Sequence, residues 1–182
     1  MTDGWPAGWY VVVSGPPGSG KTTLATALAP ALGLPLIAKD TIKEALMTVL
    51  PVPDVPASRT VGRASVAALL AVAAQAPGAV LESVWYPSRS LADLDGLPGN
   101  IVEVFCRCNR AVATQRYARR AGTRAAGHFD AERSANGDIW NDEVARPVAG
   151  GWPVIEVDTT TSVELGPLIA AIRAAAGAPS AR

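Results

Sequence analysis

The feature that most constrains this chain is a glycine-rich octapeptide, GPPGSGKT, at residues 15–22. It matches the pattern G-x-x-x-x-G-K-[ST] at every fixed position. Glycine lets the backbone wrap closely around an anion, so that successive N–H groups point inward, and a helix that begins after the loop adds the positive end of its dipole. The motif therefore predicts a loop, between a buried strand and a helix, that binds the phosphates of a nucleotide.

Individual positions of this loop have predicted roles. The ammonium of Lys21 can reach the β- and γ-phosphates, and the hydroxyl of Thr22 can ligate Mg²⁺. A turn that binds nothing is the alternative, but the apolar run 10–13 before the motif and the helical period after it favour a nucleotide site. The residues expected to contact the nucleotide here are Gly15, Pro16, Pro17, Gly18, Ser19, Gly20, Lys21, Thr22 and Thr23.

Apolar runs alternate with helical periods along the whole chain. This alternation predicts an α/β fold in which a five-stranded parallel sheet is covered by helices on both faces. No linker or internal repeat divides the sequence, so one domain is expected over residues 1–182. The expected strands are 10–13, 34–38, 79–84, 101–106 and 154–157.

Several sequence signals predict where helices begin and end. Capping boxes at Thr41–Glu44 and Thr161–Glu164 are expected to begin two helices, and Asn109 is expected to cap a third. Gly33 is expected to end the first helix in a left-handed conformation. The proline-rich stretch 51–60 predicts an extended loop.

Composition and charge exclude several classes of protein. Apolar residues make up 49% of the chain and charged residues 18%, which excludes disorder for most of it. The net charge is zero, which argues against duplex nucleic acid as the main partner. Cys106 and Cys108 are too few for a metal framework and are expected to be free thiols. With no signal peptide or membrane span visible, we expect a cytoplasmic protein.

Two carboxylates follow strands of the predicted sheet. Ligands of an open parallel sheet gather at the carboxyl ends of its strands, so Asp40 is expected to face the phosphates. It can act as a general base or help to hold Mg²⁺, and the alternative is a helix cap. Glu82 ends the third strand, where an acid can hold Mg²⁺ through water or simply mark the strand exit. The expected metal ligands are therefore Thr22, Asp40 and Glu82.

The lysines of the chain all lie between residues 21 and 43, which predicts a positive rim beside the phosphates. Lys43 itself is expected on a solvated helix face. Trp85, Tyr86 and Arg89 follow the third strand. They could wall a pocket for an acceptor molecule with an aromatic surface and one cation, or could equally be ordinary packing under a loop.

A second cluster of charge is rich in arginine. Arg116 and Arg120 are four residues apart and share one face of a helix, where two guanidinium groups can clamp a polyphosphate. A solvated basic face is the alternative. Residues 122–137 are polar, contain glycine and are rich in arginine, which predicts a mobile flap that includes Arg124 and Arg133. His128 is expected to be a hinge or surface contact in this flap and not a catalytic group.

The motifs described above, taken in their order along the chain, resemble those of the small P-loop kinases. This group includes adenylate kinase, shikimate kinase, polynucleotide kinase and chloramphenicol phosphotransferase, and uncharacterised AAA-type kinase-like proteins are similar. The resemblance implies a strand order of 2-3-1-4-5, an acceptor-binding region at about 41–78 and an arginine-rich lid at about 119–137. The segments that carry it are 11–24, 39–44, 81–89, 104–108, 116–120 and 157–159.

The same resemblance implies roles for particular residues. Asp40 would take the proton of the acceptor hydroxyl, and Arg116 and Arg120 would grip the phosphates of ATP. The loop formed by Asp158, Thr159 and Thr160 would border the adenine. Such kinases often have Asp where this chain has a Glu at the end of the third strand, and the lid lacks the cysteines of a zinc-bearing lid.

The sequence therefore predicts an ATP- and Mg²⁺-dependent phosphotransferase that moves the γ-phosphoryl group to a hydroxyl of a small molecule. Its expected catalytic residues are Lys21, Asp40, Arg116 and Arg120. One alternative is a nucleotide-hydrolysing switch with a protein partner, for which no water-positioning residue is evident. Another is a nucleic-acid end kinase, which the zero net charge disfavours. No membrane partner is expected, and the acceptor and the oligomeric state stay open.

Overall fold

The computed structural model describes residues 8–121, 126–130, 132 and 140–177. Its centre is a five-stranded sheet in the order β2-β3-β1-β4-β5, and every neighbouring pair is parallel. The predicted α/β class and strand order are confirmed. The strands are β1 (Trp9–Ser14), β2 (Leu36–Ala38), β3 (Gly78–Glu82), β4 (Asn100–Arg107) and β5 (Val154–Asp158).

Six α-helices and one 3₁₀ turn are assigned within the described residues. The 3₁₀ turn, Ala126–His128, lies in the predicted lid. The helices are α1 (Lys21–Leu32), α2 (Lys39–Met47), α3 (Val55–Ala73), α4 (Pro87–Asp95), α5 (Arg110–Ala121) and α6 (Leu165–Gly177). None of the helices in these parts of the chain is both long enough and apolar enough to cross a lipid bilayer.

The two faces of the sheet are buried in two separate apolar clusters. On β1, Val11 and Val13 point to one face and Tyr10 and Val12 to the other, as the two-residue period of a strand requires. The first face is covered by α1 and α6, and the second by α3 and α4. Because β1 is buried on both sides, the loop that follows it is anchored in the most protected part of the molecule.

The prediction of an extended loop over 51–60 is wrong for its second half. Asp54 caps α3 by accepting a hydrogen bond from the backbone N–H of Ala57 at 2.7 Å, and Pro56 is accommodated in the first turn. Proline lacks the N–H that this turn leaves unpaired, so it favours a helix start here. The sequence prediction also missed α4, a nine-residue helix in a largely polar stretch that buries only Ser90 and Leu94.

Both predicted capping boxes are wrong. The helix expected to begin near Thr41 begins at Lys39 and has Ala38 at its N-cap, without a side-chain cap. The last helix begins at Leu165 and not near Thr161. Two other boundary predictions are confirmed. Gly33 ends α1 with φ of 70°, and the side chain of Asn109 accepts hydrogen bonds from the first turn of α5.

Candidate nucleotide-binding site

The glycine-rich loop joins β1 to α1, as the motif predicts. Gly15, Gly18 and Gly20 all have positive φ angles, of 140°, 76° and 88°, which residues with a side chain rarely adopt. Space is a second reason for glycine. A Cβ atom at Gly18 would collide with the backbone carbonyl of Ala113 on α5. The loop therefore needs glycine both for its conformation and for its contact with α5.

Lys21 lies beneath this loop and is buried, with 5% of its surface exposed. Its ammonium is 4.0 Å from the Oε1 atom of Glu82 and 3.5 Å from the carbonyl oxygen of Pro16. Burial lowers the pKa of Lys21, while the negative charges of Glu82 and Asp40 oppose that shift. An anionic ligand at the loop would add a further partner for this desolvated cation.

Glu82 ends β3, and burial raises the pKa of its carboxyl group. The ammonium of Lys21 opposes this rise, and the nearby charge of Asp40 adds to it. The hydroxyl of Thr22 also opposes it through a hydrogen bond to Glu82. These groups occupy the carboxyl ends of neighbouring strands, where an open parallel sheet binds its ligands.

The hydroxyl of Ser19 is fully buried in the loop and has no hydrogen-bond partner among the described residues. Buried polar atoms in folded proteins are almost always satisfied, so an unpartnered one indicates a missing ligand or water. A phosphate oxygen would accept a hydrogen bond from this hydroxyl. This observation, together with the three glycines, fits a bound nucleotide at the loop.

Asp40 lies in the first turn of α2, directly after β2. The N-cap of that helix is Ala38, so the alternative that Asp40 caps α2 is wrong. Its Oδ1 atom is 2.9 Å from the ammonium of Lys39, and 37% of its side chain is exposed. Its charge influences the pKa values of both Lys21 and Glu82, which places it on the phosphate side of the sheet.

The residues present fit a magnesium ion that is shared with a nucleotide. Mg²⁺ prefers oxygen ligands, keeps several waters, and is held in such sites by one or two carboxylates together with substrate phosphates. Thr22, Asp40 and Glu82 offer one hydroxyl and two carboxylates at the same end of the sheet. No cluster of three or more metal-ligating His, Cys, Asp or Glu residues exists in the described parts of the chain. An all-protein metal cage is therefore not formed by those residues.

One face of α5 is turned toward the phosphate-binding loop. Ala113 touches Gly18, and the guanidinium of Arg116, one turn later, lies beside Gly20. Arg116 donates hydrogen bonds to the carbonyl oxygens of Thr159 and Thr160, at 2.8 and 2.9 Å. The structure thus brings together three of the residues that were expected to surround ATP, and Arg116 fixes the loop after β5.

Arg120 extends the same face of α5 by one more turn. Its guanidinium lies 6.0 Å from the centre of the Tyr117 ring, and its charge acts on both Lys21 and Glu82. Arg119 is exposed and belongs to another face of the helix. The prediction that Arg116 and Arg120 share a face is confirmed, and that face is the one beside the loop.

The expectation of a solvated position for Lys43 is wrong, and so is the surface alternative for His128. Only 2% of each residue is exposed. The ammonium of Lys43 donates to the Ser58 hydroxyl at 2.7 Å, and the Nε2 atom of His128 lies 3.0 Å from the Oε1 atom of Glu44. Of the predicted lid, the structure describes 119–121, 126–130 and 132. Arg124 and Arg133 lie outside the described residues.

Of the three residues singled out after β3, one is packed in the core and the other two lie nearer the surface. Trp85 is buried in the apolar cluster on the α3 and α4 face, which favours the packing alternative for its ring. Its indole N–H has no hydrogen-bond partner among the described residues. Tyr86 is half-buried, and the guanidinium of Arg89 stacks on its ring at 5.0 Å from the centre.

The sequence prediction missed Ser58 and Glu103. Ser58 lies in the stretch that was expected to be a loop, so its burial against Lys43 was not foreseen. Glu103 is fully buried in the middle of β4 and accepts hydrogen bonds from Ser14, Trp152 and two backbone N–H groups. An acid inside the apolar run IVEVFC was a signal that could have identified it.

The strand order, the phosphate-binding loop and the charged groups around it define a P-loop protein with the fold of the small kinases. A family model for AAA domains (AAA_33) matches residues 11–139. That match covers more than half of the chain, so the protein belongs to this AAA domain family.

Solved structures share this fold over nearly the whole chain. A putative kinase from Chloroflexus aurantiacus J-10-fl is 27% identical, with a TM-score of 0.79 over 93% of this chain and 98% of that chain. Shikimate kinase from Acinetobacter baumannii, in complex with shikimate, is 18% identical, with a TM-score of 0.58 over 92% of each chain. The Mycobacterium tuberculosis APS kinase CysC, in complex with AMPPNP and APS, is 19% identical, with a TM-score of 0.57 over 95% of this chain and 99% of that chain. A search of curated proteins gives no match.

Proposed function

We propose that the protein is an ATP- and Mg²⁺-dependent phosphotransferase that moves the γ-phosphoryl group to a hydroxyl of a small molecule. One observation carries the proposal: the ammonium of Lys21, the Thr22 hydroxyl and the carboxylates of Glu82 and Asp40 converge at one end of the sheet, beside a glycine-rich loop. Phosphoryl transfer needs this combination of cation, metal ligands and base.

The loop and α5 would hold the polyphosphate from two sides. Backbone N–H groups of the loop and the buried Lys21 neutralise charge on the phosphates, and Ser19 supplies a further donor. Arg116 and Arg120 lie on the face of α5 that borders the loop. When bound, Mg²⁺ would neutralise charge on the phosphate oxygens, with Thr22 and Glu82 on its protein side.

Asp40 is the best placed of the described carboxylates to receive the proton of the acceptor. It is more than one third exposed, whereas Glu82 is almost fully buried and bonded to Thr22. A partly exposed carboxylate at the end of the edge strand β2 is accessible to a second substrate. The helices α2 and α3, which follow β2, would then form the acceptor side of the site.

An acceptor screen tests this function. The purified protein is incubated with ATP, Mg²⁺ and pools of hydroxyl compounds, and ADP release is followed above the rate without acceptor. We expect at least one pool to raise the rate, and Lys21→Ala, purified in the same way, to give no increase. ADP release that no pool accelerates, but that a protein partner does, would favour the nucleotide-hydrolysing switch.

A further inference from the structure

The described part of the predicted lid is fastened to the acceptor side of the site. The hydroxyl of Ser58, on α3, donates a hydrogen bond of 2.6 Å to the carbonyl oxygen of Gly127. The same hydroxyl accepts the 2.7 Å hydrogen bond from the ammonium of Lys43, on α2. One buried side chain thus joins α2, α3 and residues 127–130, which we call the docked segment.

A second contact holds the docked segment on α2. His128 is buried, and its ring lies 3.0 Å from the carboxylate of Glu44. Gly127 fits against the side chain of Met47, since a Cβ atom at this position would lie 2.7 Å from the Cε atom of Met47. Polar and steric contacts therefore fix the same short segment on the same helix.

The docked segment is also attached to α5. The hydroxyl of Tyr117 donates a 2.6 Å hydrogen bond to the carboxylate of Asp130, and both residues are buried. Tyr117 lies between Ala113 and Arg120 on the face of α5 that borders the phosphate-binding loop. A continuous set of contacts thus runs from Ser58 through the docked segment to that face.

We infer that Ser58 is a positioning residue: it fastens the docked segment to α2 and α3, and this attachment holds the arginine-bearing face of α5 against the phosphate-binding loop. Loss of the attachment weakens nucleotide binding, although Ser58 does not touch the nucleotide loop. The second half of this inference rests on the proposed function, because it requires that the loop bind ATP. The first half concerns docking alone.

His128 provides a direct measurement of docking, because it is the only histidine of the chain. In untagged protein, its ring gives a single set of proton NMR resonances. Ser58→Ala removes the hydroxyl, and we expect the His128 resonances to move toward those of a solvent-exposed histidine. Ser65→Ala is the matched control: it removes another buried hydroxyl of α3, which bonds only the Val61 carbonyl in the described structure. Its His128 resonances should stay at the wild-type positions.

Calorimetric titration with ATP and Mg²⁺ tests the second half of the inference, which is the coupling between docking and nucleotide binding. Ser58→Ala should weaken binding by about 2- to 10-fold, the effect of one hydrogen bond on an equilibrium constant, and Ser65→Ala should leave it unchanged. If Ser58→Ala does not fold, Glu44→Ala replaces it, since this residue is exposed and its carboxylate contacts the His128 ring directly.

The outcomes separate the inference from the proposed function. Unmoved His128 resonances in the folded Ser58 or Glu44 variant would overturn the docking. Moved resonances with unchanged ATP affinity would overturn the coupling to α5. Wild-type protein that does not bind ATP would contradict the proposed function and with it the coupling, while the NMR comparison would still decide the docking.

Discussion

The carboxylate of Glu103 accepts a 3.1 Å hydrogen bond from the indole N–H of Trp152, across the buried face of β4. The same carboxylate accepts hydrogen bonds from the backbone N–H groups of Val148 and Ala149 and from the Ser14 hydroxyl. A buried acid is tolerated here because all four donors satisfy it. It fixes the segment before β5 against the sheet and, through Ser14, the end of the strand that leads into the phosphate-binding loop.

Glu103→Gln should therefore destabilise the protein without changing the nucleotide-binding residues. In either orientation, the amide NH₂ of glutamine would face at least one N–H group that now donates a hydrogen bond to the carboxylate. We expect a loss of about 3 kcal/mol in the free energy of unfolding, measured with urea. Glu156→Gln, at an exposed position of β5, is the control and should change it by less than about 0.5 kcal/mol. Equal stability of the two variants would contradict this account of Glu103.

Lys21→Ala should abolish the thermal stabilisation that ATP and Mg²⁺ give to the wild-type protein. Loss of one charge-assisted contact should cost about 2–3 kcal/mol of binding free energy. Lys39→Ala is the control, since the ammonium of Lys39 pairs with Asp40 and should not be needed for ATP binding. An ATP-induced shift in melting temperature that survives in Lys21→Ala would remove Lys21 from the nucleotide site.

Arg116→Ala and Arg120→Ala should each lower turnover by about 10- to 100-fold, because both guanidinium groups lie on the face of α5 beside the loop. The double variant should lose less than the product of the single effects if both contact the same phosphoryl group. Arg119→Ala, on an exposed face of the same helix, is the control. Wild-type turnover in the double variant would show that this face is only a solvated basic surface.

Asp40→Asn should separate chemistry from binding. It keeps the size of the side chain and removes its charge and basicity, so ATP affinity should change little while acceptor phosphorylation falls by roughly 10²–10⁴-fold. Titration with Mg²⁺ distinguishes the two roles of Asp40. Activity restored by excess metal would indicate a metal ligand, and a loss that persists at saturating metal would indicate the base. Full activity in this variant would leave the mechanism without its base.

The two cysteines should differ in reactivity. Burial raises the pKa of the Cys106 thiol to about 12, whereas Cys108 is half-buried. Native protein at pH 8 should take up one equivalent of iodoacetamide by mass spectrometry, and unfolded protein two. Cys108→Ser should take up none when native.

The buried Cys106 thiol should also make stability depend on pH. Its pKa in the folded protein is above the ordinary value of 9.0, so the thiol of the unfolded chain loses its proton at a lower pH. The free energy of unfolding should therefore fall as the pH rises from 9.0 toward 12.

Local signals in the sequence were enough to predict the phosphate-binding loop and to assign most segments correctly as helix or strand. The β-branched runs of buried strands are visible without a structure, and the glycine-rich motif needs only a strand before it and a helix after it. The strand order was available only through the resemblance to small kinases, because the local pattern of each strand does not specify its neighbours.

Long-range contacts account for what the sequence did not reveal. Lysine is usually exposed and histidine often is, so the sequence predicted a surface position for Lys43 and allowed one for His128. Their burial depends on contacts between distant parts of the chain, such as that of Ser58 with Gly127. The capping boxes at Thr41 and Thr161 failed because a matching pattern is not sufficient when the sheet sets where a helix begins.

The nucleotide side and the acceptor side of the proposed site follow strands that differ in how many neighbours hold them in the sheet. The phosphate-binding loop leaves β1, the central strand, while Asp40 follows β2, a three-residue strand at the edge that pairs only with β3. A shift of the β2 backbone would break few ladder hydrogen bonds, whereas a shift of β1 would break those on both of its sides. Under the proposed function, this arrangement would let substitutions on the acceptor side accumulate while the nucleotide side stays unchanged.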